Sequence, residues 1–232
     1  MAMRNYWNSL TVFFGLFLLV QPSGSLYGAA FAVKVVDKEP PQEIDGSIRK
    51  TVQGKAVQIF ENEKPVYEFW FSAAIPLQSK PESVGKGLDT IKQTTLMGVA
   101  AVHGDKHDYK DNDLPGGIYT IRFAMQPQDG NHLGTAEFSY FAVLIRSKND
   151  SKLDGISDYK ALVKASSKET SSDHPIILSL RPTSSGDGNL PALSDPVPDH
   201  KCVRVRVPAS LSGADEKISI VFDLVYKGIG KI

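Results

Sequence analysis

Lys217-Ile-Ser-Ile-Val-Phe-Asp-Leu-Val-Tyr226 places Ile218, Ile220, Phe222, Leu224 and Tyr226 at strict intervals of two. Successive side chains of a strand point to opposite faces, so this spacing separates an apolar face from a mixed one and predicts a half-buried β-strand. The same rhythm runs just upstream in Cys202-Val-Arg-Val-Arg-Val207. Residues 33–37, 55–60, 65–71, 95–102, 118–125, 138–145 and 176–180 also read as strands, being short apolar runs bounded by turn chemistry. Runs 55–60 and 65–71 make a predicted hairpin through polar Glu61-Asn-Glu-Lys64, and run 95–102 is apolar throughout, as in a central strand. Leu114-Pro-Gly-Gly117 is a turn, because proline pre-sets φ and glycine supplies a positive one. Beyond it Tyr119, Ile121 and Phe123 share a face. Ser157 is positioned to cap one short helix over 158–166, with Tyr159, Leu162, Val163 and Ser166 roughly on one side. Two proline- and glycine-containing stretches, 75–92 and 182–201, read as long loops, which in a compact domain are usually functional or mobile. About nine strands and one helix predict a mainly β fold, an antiparallel β-sandwich of immunoglobulin-like or jelly-roll-like kind, over residues 33–232.

The 232 residues carry 26 basic and 26 acidic side chains, so there is no cationic footprint for a nucleic acid or an acidic membrane surface. With 41% hydrophobic and 22% charged residues the chain has globular, not disordered, composition. Its single cysteine, Cys202, rules out an intramolecular disulfide, which leaves stability to the core. In its alternating run Cys202 reads as a small buried hydrophobe; the other reading is a reactive thiol.

Leu10-Thr-Val-Phe-Phe-Gly-Leu-Phe-Leu-Leu-Val20 is an apolar run of 11 residues, short of the roughly 20 needed to span a bilayer and the length of a signal-peptide core. Pro22 to Ser25 break it, and Gly28-Ala-Ala30 and Ala30-Phe-Ala32 offer small residues for cleavage after Ala30 or Ala32. Residues 1–32 are therefore expected to be a signal peptide. The processed protein should be periplasmic or secreted and not inserted in a membrane; an uncleaved anchor is the alternative.

Residues 114–134, Leu-Pro-Gly-Gly-Ile-Tyr-Thr-Ile-Arg-Phe-Ala-Met-Gln-Pro-Gln-Asp-Gly-Asn-His-Leu-Gly, carry the most distinctive pattern. They resemble a family of exported bacterial proteins of unknown function, with P-x-G-x-Y-T-x-R followed by P-x-D-G-N-H-x-G. In that family, as in this chain, an apolar strand, a short helix and a His-Pro segment follow, matching 138–145, 158–166 and His174-Pro175. The resemblance spans about residues 95–180 and implies export and a shared fold, with no activity attached.

Within Asp129-Gly-Asn-His-Leu-Gly134, Asp129, Asn131 and His132 are candidate binding residues. They read either as a turn in which Asp129 bonds its own backbone, or as a rigid tip presenting the His132 imidazole as ligand or general base. A metal would take His103, His107, His132 and His174, with Asp105 and Asp108 near the first two; Gly104 and the adjoining strand argue against the helix that would align His103 with His107. His174 reads equally as a strand-entry residue. Ser83-Val-Gly-Lys86 matches S-x-x-K without its companion motifs, and neither a nucleophile elbow nor a zinc-protease or dinucleotide motif occurs. Tyr67 with Glu68 or Trp70 could form a flat platform for a sugar or protein; the alternative is a strand covered on both faces. Asn149-Asp-Ser151 is a sequon, meaningful only in a eukaryotic secretory host. No cofactor is implied. The expectation is an exported envelope protein, a non-enzymatic binding or accessory domain whose partner is an envelope protein or a glycan. The alternative is an exported metal-dependent or hydrolytic enzyme using His132 with His103, His107 or His174.

Overall fold

The computed structural model describes residues 30–127, 136–170, 173–184, 186–212, 216 and 218–230. In chain order the regular elements begin with β1 (Phe31–Asp37), α1 (Gly46–Arg49), β2 (Lys55–Glu61), β3 (Lys64–Phe71), β4 (Ile75–Leu77) and β5 (Leu96–Val102). Next come β6 (Lys106–His107), β7 (Asp113–Leu114), β8 (Gly117–Met125), β9 (Tyr140–Arg146) and α2 (Tyr159–Ser166). The chain closes with β10 (Ile176–Pro182), β11 (Ala192–Ser194), β12 (Lys201–Leu211) and β13 (Ile218–Lys227). The protein is mainly β and antiparallel, as the alternation predicts. The strands pair as one sheet of eleven, in the order β1-β2-β3-β5-β8-β9-β10-β13-β12-β11, with β4 joined parallel to β12. That sheet curls until its ends come together, giving a nearly closed, barrel-like shape.

At the seam the strands are bridged by side chains. The Phe31 ring of β1 lies 6.0 Å from Tyr226 of β13, with the Lys227 and Lys201 ammonium groups 5.1 and 5.7 Å from its centre. Lys227 also pairs with Glu61 of β2 at 2.6 Å.

Parity decides what faces inside. Ile218, Ile220, Phe222, Leu224 and Tyr226 all join the central core, together with Tyr119, Ile121 and Phe123 of β8, Tyr67, Phe69 and Phe71 of β3, and Val203, Val205 and Val207 of β12. The uniform apolarity of β5 comes from cover on both sides: Met97, Ala100 and Val102 face the central core, while Leu96, Val99 and Ala101 lie under Ile44, Ile48 and Val52 around α1. The register of β5 against β8 shifts between Leu96 and Gly98, a bulge in which Gly98 takes φ +156°. A Cβ there would lie 2.4 Å from the Trp70 carbonyl oxygen, which glycine alone avoids. On the opposite flank Leu162 and Ala165 of α2 pack on Phe141, Val143 and Ile145 of β9.

Three details depart from the sequence reading. The α2 cap is Asp158, whose carboxylate accepts from the Ala161 N–H at 2.9 Å, while the Ser157 hydroxyl donates to Asp158 at 3.0 Å. The 75–92 stretch contains β4, and the 182–201 stretch contains β11. The 62–63 turn narrows the hairpin to two residues, with Asn62 and Glu63 at φ 49° and 66°, the left-handed pair that suits the strands' twist.

Candidate functional site

The candidate residues Asp129, Asn131 and His132 lie outside the described residues. His103, at the end of β5, has its Nε2 3.8 Å from Glu68, while His107 of β6 has its Nδ1 3.4 Å from Asp111. The two histidines are thus engaged by different carboxylates. His174 precedes β10, and its carbonyl accepts from the Thr170 hydroxyl at 3.2 Å. Asp108 is buried and faces inward: it accepts from the Ile177, Lys110 and Asn112 N–H groups at 2.9, 2.8 and 2.9 Å. Burial raises its carboxyl above the usual range despite these bonds. Among the described residues no three His, Cys, Asp or Glu side chains gather as metal ligands.

The aromatic platform is corrected. Tyr67 and Trp70 are buried, Tyr67 in the central core and Trp70 beneath α1, with the indole N–H donating to the Lys38 carbonyl at 2.7 Å. Glu68 between them is buried too, accepting from Lys38 at 2.7 and 2.8 Å and from Gln58. β3 is a strand covered on both faces. Cys202 is fully buried on the outer side of β12, where burial pushes its thiol up to about 12 and suppresses the nucleophilic thiolate.

The 114–122 signature is a packing device. The Tyr119 ring lies in the core with its hydroxyl donating to the Pro115 carbonyl at 2.5 Å, and the Arg146 guanidinium sits 4.6 Å over it. Arg146 also donates to the Gly116 carbonyl at 2.9 Å; a Cβ on Gly117 would collide with it. Alternation turns Thr120 and Arg122 to the outer face, where both reach Asp150: Thr120 Oγ1 at 2.6 Å, Arg122 Nε at 2.7 Å and Nη2 at 3.0 Å. Arg122 further donates to the carbonyls of Thr94, Lys152 and Leu153 at 2.9, 3.1 and 2.9 Å. A single buried cation therefore fixes the 150–153 loop and the 94 backbone to β8.

Between these two segments lies a cleft of 520 Å³, a volume that suits a small molecule. One wall is Lys92, Gln93, Thr94 and Thr95, the other Leu153, Asp154, Ile156 and Ser157, with Thr51 and Ser72 at the α1 end and Arg122 in the floor. Thr94 adopts φ +70°, a strained conformation for a β-branched residue. Three bonds hold it there: its N–H donates to the Phe123 carbonyl at 2.9 Å, its carbonyl accepts from Arg122, and the Phe123 N–H donates to the Thr95 carbonyl at 2.8 Å. Thr94 is only 9% exposed as a residue, and its hydroxyl, an accessible atom on the cleft wall, makes no hydrogen bond among the described residues. Lys92 and Asp154 are likewise without an ion pair there. A second cleft, of 550 Å³ along β12, is chemically spent: its Arg206 donates to the Gly186 carbonyl and its Glu216 pairs with Lys80 at 2.7 Å.

Lys92, Thr94 and Asp154 were not singled out by sequence reasoning. Lys92 closes a stretch read as a long loop, the one hint available. The positive φ of Thr94 has no local signal, because its distant partners Arg122 and Phe123 impose it. Compared with known protein families, with curated proteins and with solved structures, the chain matches none.

Proposed function

We propose that this chain is an exported, non-enzymatic binding domain of the cell envelope, and that the cleft beside Thr94 receives a small polar ligand, a glycan unit being the favoured partner. The observation that carries the reading is Thr94 itself. A β-branched residue held at positive φ by long-range hydrogen bonds, with its hydroxyl open to a cleft, is the kind of feature that persists when a site is pre-organised for something else to bond. Export is supported by the apolar run at 10–20 with its small-residue junction, and by the likeness of 114–134 to exported bacterial proteins.

We read the curled sheet as a flattened barrel whose opposing walls pack like the leaves of a sandwich. Phe71 meets Phe222 at 6.1 Å and Tyr67 meets Tyr226 at 6.1 Å across the core in support of that description.

The test is a fragment screen by amide NMR on the purified protein with pools of small polar compounds. Binding should shift the signals of 92–95 and 153–157 together. Hits that all fall elsewhere, or none at all, would remove the cleft as the site. The enzymatic alternative, with His132 joined by His103, His107 or His174, is tested separately by metal analysis: stoichiometric zinc or copper in the purified protein would overturn the non-enzymatic reading.

A further inference from the structure

We infer that the ligand of the Thr94 cleft is a small acidic polyol, a uronic or aldonic acid, whose carboxylate is received by residues 92–95. This rests on the binding reading above and adds the chemistry of the ligand.

The two sides of the cleft differ in what they have left to give. On the 92–95 side the free groups are donors. Lys92 has no ion pair among the described residues, and the hydroxyls of Thr94 and Thr95 have no partner there. The side-chain oxygen of Gln93 already accepts from the Met125 N–H at 2.8 Å, which orients the amide so that its NH₂ remains. A cation beside an amide and two hydroxyls is complementary to a carboxylate.

At the α1 end and on the 153–157 wall the free groups are acceptors. Thr51 donates its hydroxyl to the Ile48 carbonyl at 2.7 Å, Ser72 donates to the Leu96 carbonyl at 3.0 Å, and Ser157 donates to Asp158 at 3.0 Å. Each oxygen keeps lone pairs for an incoming donor, and Asp154 adds a charged acceptor. Several neutral acceptors spread over a wall suit several hydroxyls better than one ammonium group. The floor adds little net charge, since the Arg122 guanidinium is neutralised by Asp150 at 2.7 Å. Lys92 on one side and Asp154 on the other thus orient an acid, with its carboxylate toward 92–95 and its hydroxyls toward Asp154.

The experiment is a titration of the purified full chain, followed at the 92–95 amides, with D-glucuronate, D-gluconate, D-glucose and L-alanine. Glucuronate or gluconate should saturate the site, with glucose about tenfold weaker or worse. Lys92→Met should weaken the acids by about tenfold and so remove their preference over glucose, and Lys92→Arg should restore it. Lys92 is exposed, so matched urea midpoints for the variants keep a folding defect from imitating the result. Equal binding of glucose and glucuronate, stronger binding of alanine, or indifference to Lys92→Met would overturn the proposal. Silence of the cleft toward all four probes would overturn it too. If the fragment screen still gives hits at 92–95, the binding reading survives that failure; silence in both takes down the two together.

Discussion

Arg122 and Asp150, 28 residues apart in the chain, form a two-pronged buried ion pair at 2.7 and 3.0 Å, with both residues no more than 3% exposed. The pair joins a strand of the sheet to the loop that walls the candidate site. The pair is reinforced on both sides, because Thr120 also donates to the Asp150 carboxylate and three carbonyls also accept from the Arg122 guanidinium.

Asp150→Ala leaves a guanidinium buried without its counter-charge, which costs about 3–5 kcal/mol. Urea denaturation should show that loss, and the 150–157 amides should lose protection from hydrogen exchange first. Thr120→Val removes one neutral partner and should cost about 1–2 kcal/mol. An Asp150→Ala protein as stable as the parent would mean that the pair does not hold the loop.

Thr94→Gly releases the left-handed strain, worth about 1–2 kcal/mol, against the roughly 0.5–1 kcal/mol of chain entropy that glycine loses on folding. The urea midpoint should stay level or rise while ligand binding falls. Thr94→Val keeps the strain and removes only the hydroxyl, so it should bind as poorly as Thr94→Gly without the gain in stability. A lower midpoint for Thr94→Gly would show that no strain is stored there.

Alkaline pH should unfold the protein. Burial holds the Cys202 thiol and the Tyr119 hydroxyl up to about 12 each, and raises Tyr67 and Tyr226 further. A free thiol and a free phenol titrate near 8.5 and 10, so between those values and the folded ones the folded state binds more protons than the unfolded chain. Stability is therefore complete below about pH 8.5 and falls as pH rises, by up to about 1.4 kcal/mol per pH unit for each deeply buried group. Phenolate absorbance should rise in one cooperative step together with loss of the β signal in circular dichroism. Independent, gradual titration of all tyrosines with the fold intact would contradict this, as would Cys202 reacting with a thiol reagent at pH 8 without denaturant.

The proposed export implies processing, and the fold favours cleavage after Ala30. Cleavage after Ala32 would remove Phe31, whose ring reaches from β1 at the seam to Tyr226 of β13. Intact mass of the exported protein should begin at Phe31, and Phe31→Ala should lower stability by about 3 kcal/mol or less, since the ring is half-buried. A mature chain starting at Val33 with full stability would remove the seam from the account.

The sequence by itself determined which residues face inside. Ile218 to Tyr226, Val203 to Val207, and Tyr119 with Phe123 all keep the side that their spacing assigns, because Cβ direction in a strand is a local property of the backbone. Even the Thr120 and Arg122 of the 114–122 signature follow that parity. What the strands pair with is not local. Alternation cannot distinguish two facing sheets from one sheet curled until β1 meets β11, nor reveal that Tyr67 and Trp70 are both covered, since the covering segments come from other parts of the chain. The cleft belongs wholly to the tertiary structure. Lys92, Thr94 and Asp154 become a site only because Arg122 reaches 28 residues in each direction, to the Thr94 carbonyl and to Asp150, and long-range hydrogen bonds of that kind leave no periodicity in a sequence.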